Sequence, residues 1–388
     1  MKITSVTPLT ATFAFERDPL SYSFVRIETD EGLVGYGEAC DSYGCTYANV
    51  VATVIDDALA PLLVGEELDS VERLAEKLRL HTRRRLGDQC IAPMARSATE
   101  IALWDLTARA ADRSVSALIG QVRDRVPVYA SSVFLEEGPA TWHAELLQPL
   151  LEQGVTMVKL RVGPEWRADL ATLTELRGLL DPGVEIMIDG SEIFTLPTAT
   201  EVARQLGELG VMWFEEPIPQ NERAGIEDLV SRSPVAIAYG EHLYSSLDAL
   251  EALQRRQATV LQPDASTCGG IGEARRMAAG AAYFGARVVP HVCAGPISLA
   301  ANLAVAATVG QIRAIEYPYT MAPAWDAFGT GPRLGPDAIV DGTIAVPDGP
   351  GLGVALDEAA VAAHPYRPPG TRVAGTRGGL PDRFVGDR

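Results

Sequence analysis

Three acidic residues close apolar segments in the middle of the chain at a constant spacing. Asp189, Glu215 and Glu241 each end such a segment, and each lies 26 residues from the next. Three carboxylates that converge repel one another unless a cation lies among them. Oxygen ligands without cysteine or histidine favour Mg²⁺, with Mn²⁺ as a substitute. The pattern predicts a metal site, although an acid at a strand end can also simply cap the next helix.

Two basic residues close the apolar segment that precedes Asp189. Lys159 and Arg161 are two positions apart at the end of segment 155–161, so both side chains face the same side of a strand. Buried cations are costly unless they face anions. We predict that they face an anionic substrate; the alternative is a purely structural role as partners of Asp189 or Glu215.

Further ionisable residues continue the series towards the C-terminus. Asp264 and His291 end the apolar segments 261–264 and 288–291, and Glu316 follows 25 residues after His291. A carboxylate beside an imidazole fixes its tautomer and raises its basicity, which suits a general base or acid. A histidine at such a position can also be structural.

The spacing of these residues predicts the elements that position them. Consecutive members are 23 to 30 residues apart, which is the length of a strand, a loop, a helix and a return loop in an eight-stranded parallel barrel. We predict a catalytic barrel over residues 121–340, with its first strand at 126–133 and its last near Tyr317. The helices predicted between the strands are 142–152, 167–180, 199–209, 224–231, 246–256 and 271–284.

The segments outside the barrel have other patterns. Residues 1–120 are predicted to form an α+β capping domain, with a three-stranded meander followed by helices at 47–64, 71–82 and 93–111. Residues 341–365 are predicted to return as short strands onto that domain. Residues 366–388, rich in Pro, Gly and Arg, are predicted to be disordered. The meander strands are predicted at 3–15, 23–29 and 33–38.

Composition restricts the class of partner. The 388 residues carry a net charge of −18 and a sequence pI of about 4.7, which argues against nucleic acid and acidic membrane surfaces because both call for basic patches. Five scattered cysteines without a Cys-x-x-Cys pair disfavour disulfides or zinc. The N-terminus lacks a signal-peptide core, and segment 297–310 is too short for a membrane span. We predict a cytoplasmic protein with a small anionic substrate.

Four further segments follow one another along the chain: Ile101-Ala-Leu-Trp-Asp105, Trp213-Phe-Glu-Glu-Pro217, Gln262-Pro-Asp-Ala-Ser-Thr-Cys-Gly-Gly270 and Pro347-Asp-Gly-Pro-Gly-Leu-Gly353. In this order, the motifs resemble the mandelate racemase and muconate lactonizing enzyme family of the enolase superfamily. The resemblance covers nearly the whole chain. It implies an α/β fold with a TIM-type (β/α)7β barrel and an α+β capping domain, and we expect a homo-oligomer.

The resemblance also implies roles for the residues above. The three strand-end acids would bind one Mg²⁺ per subunit, Asp264 and His291 would form a base dyad, and Glu316 would be an electrophilic partner. The capping domain would close over the site with loops 17–22 and 41–47, and Tyr22 and Tyr43 in those loops are expected to contact substrate.

Four positions depart from the family pattern. Arg161 stands where a second lysine base is most frequent. Ser191 replaces the usual asparagine two residues after the first metal ligand, His242 directly follows Glu241, and Glu192 is an extra carboxylate. Ser191 and His242 are predicted to contact substrate.

The shared chemistry of the family is removal of the proton α to a carboxylate, which gives an enediolate held by the metal. We predict dehydration of a sugar acid, an aldonate or aldarate, to a 2-keto-3-deoxy acid. The alternatives are a cycloisomerase acting on a sugar lactone or anhydro sugar acid, a racemase or epimerase, a Schiff-base aldolase that uses Lys159, and a non-catalytic barrel.

Overall fold

The computed structural model describes residues 1–15 and 19–368. Its N-terminal part begins with an antiparallel meander in the order β1 (Ile3–Ala14), β2 (Pro19–Thr29) and β3 (Val34–Ala39). The predicted start of the second strand at Ser23 is wrong, because β2 pairs with β1 as far as Ala14 opposite Pro19. Tyr22 therefore lies in a strand and not in a loop. Residues 17 and 18 of the predicted loop lie outside the described residues.

Helices cover one face of the meander. Those that pack on its strands are α1 (Ala48–Val54), α2 (Ala60–Leu63) and α4 (Ile91–Ala110), with a π-helical turn at Ile55–Leu59 between the first two. Two further helices, α3 (Val71–Thr82) and α5 (Val115–Leu118), pack on α4. The long helix α4 packs directly on β3. A Cβ atom at Gly37 would lie 1.8 Å from the carbonyl oxygen of Ala98, so only glycine permits this approach.

Eight parallel strands form the barrel in sequence order. The strands are β4 (Arg125–Phe134), β5 (Met157–Arg161), β6 (Glu185–Asp189), β7 (Trp213–Glu215), β8 (Ala236–Tyr239), β9 (Val260–Leu261), β10 (Arg287–Val288) and β11 (Ile315–Tyr317). β11 pairs with β4, and the seam between β10 and β11 is closed by a bridge from Val288 to Ile312 and by the Glu316 N–H, which donates to the Pro290 carbonyl at 3.0 Å.

A helix follows each of the first seven barrel strands, and the seven-residue α13 (Ala322–Phe328) is the first α-helix after β11. The architecture is the predicted (β/α)7β barrel with a capping domain, and most of segment 297–310 forms a buried helix that ends at Thr308. No helix among the described residues is long and apolar enough to cross a bilayer. The barrel helices are α6 (Ala140–Glu152), α7 (Trp166–Leu179), α8 (Leu196–Glu208), α9 (Arg223–Arg232), α10 (Ser246–Gln254), α11 (Ile271–Ala281) and α12 (Pro296–Thr308).

The chain after the barrel ties its two parts together. β12 (Gly329–Thr330) pairs with β14 (Ala355–Leu356), and β13 (Thr343–Ala345) pairs with β4 of the barrel. α14 (Glu358–Ala363) then leads back to the meander, where Arg26 contacts Glu358. The return onto the capping domain is thus seen for the last segment, whereas β13 extends the barrel sheet.

The predicted tail boundary at 366 is too early. Pro365 bridges to Ala11, and the N–H of Arg367 donates to Thr12 Oγ1 at 2.8 Å. The edge strand β1 offers unpaired backbone groups to this segment, which apolar periodicity does not reveal. Residues 369–388 lie outside the described residues, and their disorder stays a prediction.

The capping domain rests on two consecutive barrel helices. At the first, Glu100 of α4 accepts the N–H groups of Ile271 and Gly272 at 2.8 and 2.9 Å, and the Nε1–H of Trp104 at 3.0 Å. Burial raises the pKa of Glu100 to about 7, although these donors and the charge of Arg276 oppose the shift. The carboxylate therefore caps α11 from the other domain.

Replacing Glu100 with glutamine is expected to change how stability depends on pH. Because the folded-state pKa of about 7 exceeds the ordinary 4.5, the stability that this group contributes is present below about pH 4.5 and is lost as the pH rises through 7. The wild type should therefore gain less in melting temperature over Glu100→Gln at about pH 8 than at about pH 5. An equal difference at both values would contradict the assignment.

Candidate active site

The residues predicted to do chemistry gather at the carboxyl ends of the barrel strands. Asp189 and Glu215 are the last residues of β6 and β7, and Glu316 lies within β11. Glu241 lies two residues beyond β8. Asp264 and His291 lie three residues beyond β9 and β10, which end earlier than the predicted segments because prolines precede both residues. These side chains and that of Lys159 are nearly or fully buried. The complete group is Lys159, Asp189, Glu215, Glu241, Asp264, His291 and Glu316.

Lys159 is the cation at the centre of this group. Its Nζ contacts Glu215 Oε1, lies 2.8 Å from Glu316 Oε1 and lies 3.6 Å from Asp189 Oδ2. Burial would lower the pKa of Lys159, but these carboxylates outweigh it and raise that pKa well above its ordinary value. The Lys159 side chain therefore stays protonated. Its pairing with Glu215 is the contact expected if its role were purely structural.

Glu215 is held by neutral donors as well. Its Oε2 accepts Nε1–H of Trp213 at 3.1 Å and Nε2–H of Gln262 at 2.6 Å. Burial raises the pKa of Glu215 to about 7, in spite of Lys159 and with the help of the neighbouring carboxylates. Burial is thus the main cause of the shift, and the neighbouring carboxylates add to it.

Arg161 has the orientation that the two-residue spacing predicts. Its Nε donates to Asp189 Oδ2 at 3.0 Å, and a terminal nitrogen donates to the Ser132 carbonyl at 3.4 Å. The opposite oxygen of Asp189 accepts both the N–H and the hydroxyl of Ser191, at 2.7 and 3.1 Å. The Ser191 hydroxyl thus already donates to Asp189, and its contact with substrate stays a prediction.

The Asp264–His291 pair is present. His291 Nδ1 lies 2.8 Å from Asp264 Oδ2. His291 Nε2 lies 3.6 Å from Glu241 Oε2 and 3.8 Å from Glu316 Oε2, beyond hydrogen-bonding distance. Burial opposes protonation, yet Glu241 and Glu316 raise the pKa of His291 well above its ordinary value. Nε2 is thus the nitrogen that faces the acidic group.

A second group of ligand-type side chains lies beside the predicted metal site. Single ligand atoms of Glu192, Glu216 and His242 all lie within 4.8 Å of one another. His242 Nδ1 is 2.8 Å from Glu216 Oε1, and Glu192 Oε1 accepts the N–H of Gln220 at 2.6 Å. Burial lowers the pKa of His242, but Glu216 outweighs it and raises that pKa to about 10. The extra carboxylate Glu192 therefore belongs to the rim with His242.

The capping domain contributes the residues above the mouth. Tyr22 is fully buried between Phe24 and Phe328, and among the described residues its hydroxyl has no hydrogen-bond partner. Tyr43 lies in the irregular segment 41–47 and packs on the main core. The N–H of Gly44 in this segment donates to the Cys293 carbonyl at 2.6 Å, two residues after His291.

The chemistry of the strand-end acids fits a divalent cation. Asp189, Glu215 and Glu241 offer hard carboxylate oxygens in a buried setting, and with Glu316 they outnumber the cations Lys159 and Arg161. Such an oxygen donor set suits Mg²⁺. The five cysteines are free thiols, and none belongs to this donor set.

Several site residues were not predicted. Gln262 and Trp213 hold Glu215, while Ser266 and Asn302 donate to Asp264 Oδ1 at 2.5 and 2.8 Å. Gln262 and Ser266 stand in the segment Gln262–Gly270 quoted above, two positions on either side of Asp264. Asn302 stands out as a polar residue on a mainly apolar helix, but its sequence position does not indicate its partner.

Fold and site together define a capped α/β barrel with a carboxylate-lined mouth and a histidine–aspartate pair. Residues 4–120 match the family model described as the mandelate racemase / muconate lactonizing enzyme N-terminal domain, and residues 142–360 match the enolase C-terminal domain-like model. The chain belongs to this family of the enolase superfamily.

Three known proteins show the range of its relatives. Arabinonate dehydratase of Saccharolobus solfataricus is 30% identical over 87% of this chain and 89% of its own. D-galactarolactone cycloisomerase of Agrobacterium fabrum is 27% identical over 93% of this chain and 98% of its own. The crystal structure of a Streptomyces coelicolor A3(2) racemase with bound magnesium is 26% identical, with a TM-score of 0.84 over 93% of this chain and 99% of that one.

Proposed function

We propose that this protein is a Mg²⁺-dependent dehydratase of a sugar acid, with a small polyhydroxy carboxylate as its substrate. The observation that carries the proposal is the convergence of Lys159, three strand-end carboxylates and the Asp264–His291 pair at one end of the barrel. The similarity to a sugar-acid dehydratase over most of both chains supports the substrate class.

The cation would be held by Asp189, Glu215 and Glu241. When bound, it supplies positive charge next to the substrate carboxylate and so favours the enediolate form of the substrate. One Mg²⁺ per subunit, with Mn²⁺ as a substitute, is the stoichiometry we propose.

The chain's own residues move the proton. Asp264 holds Nδ1 of His291 and leaves Nε2 to face the substrate. Against the effect of burial, Glu241 and Glu316 raise the pKa of His291, and a cation held by Glu241 would offset that charge, so that neutral Nε2 can take the α-proton of the substrate. Lys159 and Arg161 are fixed cations that orient the carboxylate end, and Glu316 faces the same place. The proton on Nε2 then passes to the departing β-hydroxyl, which leaves as water, and the resulting enol becomes the 2-keto-3-deoxy acid.

A cycloisomerase is the second candidate. The similarity to D-galactarolactone cycloisomerase covers nearly the full length of both chains. The same α-proton removal followed by loss of a ring oxygen, in place of a hydroxyl, would open a lactone or anhydro ring. Both reactions use His291 in the same way and differ in the leaving group.

The proposal is tested with a panel of aldonates, aldarates and their lactones, scored for 2-keto acid formation. We expect turnover of an open-chain acid in the presence of Mg²⁺, its loss after exhaustive chelation and its return when Mg²⁺ is restored. Turnover of lactones or anhydro acids alone would favour the cycloisomerase. Full turnover after chelation would contradict the metal assignment.

A further inference from the structure

Two consecutive barrel helices begin without a capping side chain of their own. α11 and α12 start after Gly270 and Gly295, and neither N-cap residue offers a side-chain acceptor. The first N–H groups of a helix lack partners within the helix and need an acceptor. In both cases the capping domain supplies a buried carboxylate, Glu100 for α11 and Glu38 for α12.

Glu38 lies at the end of β3 and is completely buried. Its Oε1 accepts the Gly295 N–H at 2.6 Å, and its Oε2 accepts the Ser298 N–H at 2.8 Å. A Cβ atom at residue 295 would lie 2.4 Å from Oε1. Glycine at this position is therefore required for the carboxylate to reach the helix end.

The helix that Glu38 caps is the one that holds Asp264. Asn302 Nδ2–H donates to Asp264 Oδ1 at 2.8 Å, and the Ser298 hydroxyl lies 2.8 Å from that of Ser266, which donates to the same oxygen at 2.5 Å. The other oxygen of Asp264 holds His291 Nδ1. A continuous path of hydrogen bonds thus leads from the capping domain to the histidine.

The next residues of the capping domain hold the Asp264 loop as well. The N–H of Cys40 donates to the Ser266 carbonyl at 3.0 Å, and the Thr267 hydroxyl donates to the Cys40 carbonyl at 3.2 Å. The end of β3 therefore contacts both barrel loops that carry the pair. Glu100 resembles Glu38 in burial and in its helix-capping role, but its own hydrogen bonds go to α11 and Trp104 and not to the pair.

We propose that Glu38 is a positioning residue, which sets the orientation of Asp264 and His291 through α12. The inference rests on the proposed function in naming His291 as the base. Its physical basis is that proton transfer requires the base within hydrogen-bond reach of the substrate, so a small displacement of α12 moves the base out of position.

The test compares Glu38→Gln with Glu100→Gln as the matched control. For Glu38→Gln we expect kcat to fall on the order of 100-fold with little change in KM, since misplacement by about 1 Å costs this much. The kinetic isotope effect with α-deuterated substrate should rise because proton abstraction becomes slower. Glu100→Gln should keep the wild-type kcat and isotope effect. A purely structural defect would lower the amount of active protein and leave the isotope effect unchanged.

Hydrogen exchange provides a readout that needs no substrate. In Glu38→Gln, the amides of residues 295–298 should exchange faster by about tenfold, the weight of one lost hydrogen bond, while Mg²⁺ affinity stays at the wild-type value. In Glu100→Gln the faster amides should be those of residues 271–272. If the wild type turns over no sugar acid, the proposed function fails, and this measurement still decides whether Glu38 holds α12.

Two results would overturn the proposal. One is Glu38→Gln with wild-type kcat and isotope effect; the other is an equal loss of kcat in Glu100→Gln. If Glu38→Gln does not fold, Asn302→Ala tests the same path from its far end and should give the same fall in kcat and rise in the isotope effect. Wild-type kinetics in Asn302→Ala would likewise overturn it.

Discussion

Replacing His291 with asparagine is expected to reduce turnover by about 1,000-fold or more, within the range that a general acid–base contributes. Asparagine preserves a side chain that can bond to Asp264 but has no titratable nitrogen to receive the α-proton. The fold should persist, because the pair lies in loops beyond the strands. Steady-state kinetics and a melting curve measure the two effects separately, and a loss below about tenfold would remove His291 from the role of base.

The matched variant on the opposite side of the site is Arg161→Lys. Arg161 stays protonated, because burial lowers the pKa of its guanidinium but Asp189 outweighs it and raises that pKa well above its ordinary value. Proton transfer on the face of the α-carbon opposite His291 therefore needs another residue. The wild type should not racemise its substrate efficiently. The ordinary pKa of an ammonium lies below that of a guanidinium, so this variant should show more α-proton exchange on the second face than the wild type.

Replacing Glu215 with glutamine is expected to lower Mg²⁺ affinity by more than about 100-fold. Residues that merely orient metal ligands already contribute 10- to 100-fold, and the change removes the charge of a ligand. Lys159 keeps its contacts with Glu316 and Asp189, so the barrel should stay folded. Calorimetric titration with Mg²⁺ measures the affinity. Wild-type affinity for Mg²⁺ in this variant would show that Glu215 is not a metal ligand.

Glu216→Gln is the control for that experiment. Glu216 is the adjacent buried acid, but its partner is His242 at the rim, and it contacts neither Lys159 nor Gln262 in the pairs described above. Its replacement should leave Mg²⁺ affinity close to the wild type. A loss of affinity in Glu216→Gln, together with wild-type affinity in Glu215→Gln, would indicate that the cation binds to the group of Glu192, Glu216 and His242.

The even spacing of the strand-end residues was enough to predict the barrel and most of its site. In a parallel barrel every strand ends at the same rim, so Asp189, Glu215, Asp264 and His291 could be placed together from their sequence positions alone. The short strands β9 and β10 ended earlier than expected, but the residues beyond them still face the site.

The contacts that hold the site could not be predicted in the same way. Asn302 lies 38 residues from Asp264, and Glu38 lies 257 residues from Gly295. Such pairings depend on how helices and domains pack, and a local periodicity carries no information about them. The position of Tyr22 was missed for a related reason, because pairing with β1 extends β2 into residues that read as a loop.

The most direct test of the central claim is the reaction of an accepted sugar acid in D₂O with Mg²⁺, followed by NMR of the product and of recovered substrate. The account predicts a 2-keto-3-deoxy acid with one deuterium at C3, which replaces the lost hydroxyl. It also predicts recovered substrate of unchanged configuration, and neither product nor exchange in His291→Asn. Rapid exchange with inversion at the α-carbon of the wild type, or exchange that survives in His291→Asn, would contradict it and favour a racemase.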